Sequence, residues 1–133
     1  MLFRSILHGS RELTGDLDLL WDGEPAQAAA LAEAFAAVGA ELVDDDGRPV
    51  ALTPQAFLLP KVQFESRNAS GDCCTVALPW GTLPVREFLD RALTVSSPDG
   101  LDVHYLRRED LIAMRREVGR PKDLRRAEEL ERL

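Results

Sequence analysis

The stretch Gly15-Asp16-Leu17-Asp18-Leu19-Leu20-Trp21 alternates between acidic and apolar residues. Successive side chains of a strand point to opposite faces, so this period of two predicts a strand. Asp16 and Asp18 then share one face, and Leu17, Leu19 and Trp21 share the other. Downstream the period changes. Pro25 suits the first position of a helix and Gly39 its C-terminal end. Between them Ala28, Leu31, Phe35 and Val38 form an apolar stripe at helical spacing. A short strand over 40–43 leads into the turn Asp44-Asp45-Asp46-Gly47. That run lacks the alternating ligands and distal glutamate of a calcium loop, so it reads as a solvated turn.

The remaining chain continues in the same manner. Thr53-Pro54 starts a helical turn. Residues 61–66 alternate as a strand, 67–71 are a turn, and 72–78 are a mostly apolar, central strand. Cys73 and Cys74 then face opposite ways and read as buried thiols. Trp80-Gly81 after Pro79 reads as a strand-ending corner. A helix over 83–93 would bury Val85, Phe88, Leu89 and Ala92. Pro98-Asp99-Gly100 makes a turn. Leu101, Val103 and Tyr105 alternate in a further strand, with His104 on its outer side. A helix over 108–118, with Leu111, Met114 and Val118 inward, ends at Gly119. Pro121 opens a last helix with Leu124, Ala127 and Leu130 as its stripe. The expected fold is α/β (α+β): a mixed sheet flanked by helices and closed by a C-terminal helix pair.

Composition limits the function. A chain of 133 residues fits one domain, with a sheet-containing body over 1–106 and a helix pair over 107–133. No run is apolar enough for a membrane span, and the first residues lack a signal peptide's pattern. Adjacent cysteines cannot staple the fold, which makes the cytoplasm the expected compartment. The net charge of -7 argues against a protein that coats nucleic acid. The charge is uneven, however. Residues 107–133 hold nine of the 16 basic residues and only seven of the 23 acidic ones. Only Lys61 and Lys122 among the basic residues are lysine. The arginine excess reads first as the codon bias of a GC-rich genome, and arginine's bidentate fit to phosphate is the alternative.

Asp16 and Asp18 are the chemical signal. Two carboxylates at i and i+2 on one strand face lie about 7 Å apart. Mg²⁺ favours one or two carboxylates together with substrate phosphates, so the pair suits a cation bridging to a triphosphate. A third carboxylate on a neighbouring strand would act as a general base or hold a second metal, and Asp72 is placed for this. Around the pair, the sequence from His8-Gly9-Ser10-Arg11 through Thr14-Gly15-Asp16-Leu17-Asp18 resembles the metal-binding signature of the minimal nucleotidyltransferase superfamily. It is most similar to the branch holding the abortive-infection nucleotidyltransferases, the type IV toxins. Glu109 to Leu124, with Gly119-Arg120-Pro121-Lys122-Asp123, matches that branch's C-terminal helix pair.

The resemblance implies a bacterial, cytoplasmic, magnesium- or manganese-dependent enzyme. It would transfer a nucleotidyl group from an NTP to a hydroxyl, as a toxin of a toxin–antitoxin pair acting on tRNA or a protein. It implies Asp16, Asp18 and Asp72 as metal ligands and catalytic carboxylates. It implies Arg11, Arg115, Arg120 and Lys122 near substrate phosphate, with Arg115 standing where the family commonly has lysine. Asp123 has the plainer use of pairing within its turn, and Arg116 of lying on a solvated helix face. The family also needs a glycine-rich phosphate loop about ten or more residues before the acidic pair. Only five residues separate Gly9-Ser10 from Asp16. The first strand and that loop are therefore expected to lie before Met1. The alternative function is a degenerate, catalytically inactive binding module that lacks the phosphate loop.

Overall fold

In the computed structural model the described residues are 17–67, 69–77 and 80–132. They fall into two compact units, 17–77 and 80–132. The first contains β1 (Leu19–Trp21), α1 (Pro25–Ala37), β2 (Glu41–Val43), β3 (Pro49–Val50), α2 (Pro54–Phe57), β4 (Lys61–Glu65) and β5 (Ser70–Thr75). Its five strands form one mixed sheet in the order β1-β5-β4-β2-β3. β1 runs parallel to β5, and every other pairing is antiparallel.

Local chemistry sets the boundaries. Asp22 Oδ1 accepts a hydrogen bond from the Glu24 amide at 3.0 Å, which turns the chain into α1 just before Pro25. At the other end Ala40 N donates to Phe35 O and Gly39 N to Ala36 O. These two bonds make a Schellman cap, and Gly39 supplies the left-handed φ of +69° that it requires. Asp44 Oδ1 accepts from the amides of Asp46 and Arg48, both at 2.9 Å. The acidic turn is thus a side-chain-fastened hairpin tip. The hairpin includes β3, a strand the pattern of residues did not predict.

One face of the sheet carries the core. Val62, Phe64, Leu42 and Cys73 meet Ala32, Phe35, Ala56 and Phe57 from the helices. Phe35 is the hub: its ring lies 5.0 Å from both Phe57 and Phe64, edge-on to the latter. The stripe of α1 is Ala28, Ala32 and Phe35. Leu31 is only half-buried, and Val38 is 61% exposed. Val38 already belongs to the cap, with non-helical angles, so the 100° step that would bring it inward has ended.

The second unit contains α3 (Val85–Asp90), the hairpin β6 (Leu93–Ser96) and β7 (Asp102–Tyr105), α4 (Arg108–Val118) and α5 (Pro121–Arg132). α3 is shorter than its pattern suggests, and Leu93 begins β6 instead of ending the helix. Leu101, expected in a strand, is 65% exposed beside the turn. A lone hairpin is marginal in water, but this one is clasped at its base. Arg91, just before β6, holds buried Asp110 of α4 through two of its guanidinium nitrogens, Nε and Nη2, with the Nε bond at 2.8 Å. Arg107 Nε, just after β7, donates to the Arg91 carbonyl at 2.8 Å. Gly119 ends α4 in the left-handed region at φ +73°. Together α4 and α5 form the C-terminal helix pair. Leu111, Met114, Ala127 and Leu130 are buried there. Val118 and Leu124 are partly exposed instead of inward, and Asp123, fully buried, takes the leading place on α5's inner stripe.

Candidate functional site

The sheet face opposite the phenylalanine core is the chemical one. Val62 and Cys73 are paired across strands and point into the core. Their neighbours Lys61, Gln63, Asp72 and Cys74 therefore point the other way. Leu19 pairs with Cys73 and Leu20 with Cys74. The ladder continues below them, because Leu17 N donates to Ser70 O at 2.8 Å. This register sets Asp18 directly beside Asp72 on adjacent parallel strands. Neighbouring strands lie about 4.8 Å apart, so these two half-buried residues are cross-strand neighbours. Asp18, just before β1, makes one polar row with Asp72 of β5 and Gln63 of β4, and Leu20, Cys74 and Lys61 make the next.

The approach of β1 to β5 depends on Gly71. A Cβ at that position would lie 2.0 Å from the Leu17 carbonyl oxygen, and backbone there cannot yield as a flexible side chain would. Read in isolation, Gly71 belongs to a turn. In the structure it lies within β5 and lets the acidic strand close against its neighbour. Only the parallel register, a non-local property, assigns it this role.

Cys74 reports the electrostatics of this face. Burial pushes its thiol up to about 12, and the carboxylates of Asp72 and Asp18 add to the shift while Lys61 opposes it. Burial likewise pushes Cys73 up to about 11. Both thiols are therefore protonated near neutral pH. Both cysteines are expected to resist alkylation by iodoacetamide at pH 8 in the folded protein and to react on unfolding. Rapid native-state alkylation would contradict this.

Asp16 and Arg11 lie outside the described residues. Among the described residues, no group of three or more His, Cys, Asp or Glu side chains is gathered closely enough to hold a metal. Arg115 is buried in the second unit with its Nη1 3.3 Å from Asp123 Oδ1. Arg120 Nε lies 2.6 Å from Asp123 Oδ2. Both guanidinium groups thus serve the buried carboxylate, which pairs within its turn. Lys122 is exposed. Arg116 pairs with Glu131 on the outer face. Trp80 is buried, which removes its ring from the surface. His104 is exposed and hydrogen-bonds Thr94 at 3.0 Å across the hairpin. No helix among the described residues is long and apolar enough to cross a membrane.

Compared with models of known protein families and with curated protein sequences, the chain matches none.

Proposed function

We propose that the carboxylate face is the centre of a metal-dependent nucleotidyltransferase, with Asp18 and Asp72 as ligands of a Mg²⁺ or Mn²⁺ ion and Asp16 as a third. The observation that carries this is the register that sets Asp18 beside Asp72. Two adjacent hard oxygen donors fit the donor preference of Mg²⁺. When bound, the ion would neutralise charge on the NTP phosphates. Asp72 would accept the proton of an acceptor hydroxyl at its carboxylate oxygen. The hydroxyl oxygen would then bond to the α-phosphorus, and pyrophosphate would leave with the electron pair of the broken P–O bond. A toxin acting on tRNA or a protein, held in check by an antitoxin, is the proposed setting.

The test is incubation of the protein with α-labelled NTPs, cell RNA and cell extract. Label should enter a macromolecule in the presence of Mg²⁺. Asp72→Asn should lower the rate about 100-fold or more, the scale of a lost general base. No transfer by the wild type, in any nucleotide or acceptor fraction, would remove the enzymatic proposal. One observation favours a second reading, a binding module without catalysis: Arg115 and Arg120 are engaged with Asp123. That reading expects metal-dependent NTP binding with no label transferred.

A further inference from the structure

Lys61 stands out on the carboxylate face. It is the one cation that the described strands present there, and one of two lysines in a chain with 14 arginines. Its Cα partner is Cys74, whose strand neighbour on the same face is Asp72. Diagonal cross-strand neighbours of this kind lie about 7–8 Å apart. That span is roughly the reach of a phosphate bound at once to a cation and to an ammonium group. The side chain is only 27% exposed. In the structure the ammonium rests 3.3 Å from Asp45, on the tip of the β2–β3 hairpin. Asp45 is 74% exposed, and an ion pair with one partner largely in water is worth little, so an anion of higher charge displaces it readily. A lysine offers a compact point charge with three donors, which suits a phosphate whose orientation is set elsewhere.

We propose that Lys61 binds the phosphate groups of the nucleotide, leaving Asp45 to do so. This rests on the reading of Asp18 and Asp72 as a cation site, and it supplies an anchor for the β- and γ-phosphates on the sheet itself. The leaving pyrophosphate would carry its charge away against the same ammonium.

Calorimetric titration separates the two ideas, with Mn²⁺ alone as one probe and premixed magnesium pyrophosphate as the other. Wild-type protein should bind both. Lys61→Met should weaken pyrophosphate about tenfold or more, the scale of a lost charge-assisted hydrogen bond. It should leave Mn²⁺ affinity unchanged or higher, since a nearby positive charge is removed. Asp45→Asn should leave pyrophosphate binding equal or up to about twofold tighter, because the resting ion pair is gone. Equal pyrophosphate affinity in Lys61→Met and wild type, with Mn²⁺ binding intact, overturns the role of Lys61 alone. Asp45→Asn weakening pyrophosphate as much as Lys61→Met also overturns it, by making the pair structural. A wild type that binds no Mn²⁺ overturns the cation site and the phosphate anchor together.

Discussion

Asp123→Ala is expected to destabilise the protein by about 3 kcal/mol, because breaking a buried ion pair removes the carboxylate that compensates a buried charge. Arg115 would be left buried inside the helix pair with its carboxylate gone. Arg120 is more exposed and regains water, so its share of the loss is small. The urea midpoint measures the effect, and a variant within about 0.5 kcal/mol of wild type, the range of an ordinary surface substitution, would contradict it. The pH dependence follows from the same contacts. Burial alone would raise the Asp123 carboxyl, but the hydrogen bond from Arg120 and the charges of Arg120 and Arg115 outweigh it. Its folded-state value is lowered. A lowered carboxyl contributes stability that is present above its unfolded value, near pH 4, and is lost as pH falls through the folded value. The gap between wild type and Asp123→Ala should therefore be full at pH 7 and shrink below about pH 4. A gap that widens on acidification would contradict the pairing.

Gly71→Ala is the second large effect. The added methyl would meet the Leu17 carbonyl at 2.0 Å, so β1 must move away from β5. Overpacking against backbone costs about 2 kcal/mol or more. The displaced strand carries Asp18, so the variant should also lose cation binding while Gly39→Ala should not. Gly39 has left-handed angles but open space around its missing Cβ, and it lies at the far end of α1. Calorimetric Mn²⁺ titration of the two variants, beside their urea midpoints, separates general destabilisation from displacement of the acidic strand. Wild-type Mn²⁺ affinity in a folded Gly71→Ala protein would contradict the positioning role.

Much of this architecture was legible from local chemistry. Pro25 and Gly39 bracket α1, and Gly119 with Pro121 separates α4 from α5, because these residues restrict the backbone wherever they stand. The alternation around Asp18 and through 61–66 correctly separated the two sheet faces, since strand period is a local property. β3 and β6 were not legible. Each exists through its hairpin partner, and Pro49-Val50 has no periodicity of its own. Asp123 on an inner stripe was hidden for a related reason. A carboxylate there is tolerable only when Arg115 and Arg120 are delivered to it, and helical spacing alone put Leu124 in its place. The candidate site was half legible. Asp18 and Asp72 could be singled out by residue type, but their adjacency, and the roles given to Gly71 and Lys61, depend on the parallel β1–β5 register between segments far apart in the chain.

The proposed function turns on Asp18 and Asp72 acting together as one cation site. Electron paramagnetic resonance titration with Mn²⁺ tests it most directly, since bound and free ion are counted separately without a substrate. Wild-type protein should bind Mn²⁺ and release it to excess Mg²⁺. Asp18→Asn and Asp72→Asn should each lose most of that affinity, and the double variant should lose little more than either alone. Undiminished Mn²⁺ binding in the double variant, or none in the wild type, would contradict the claim.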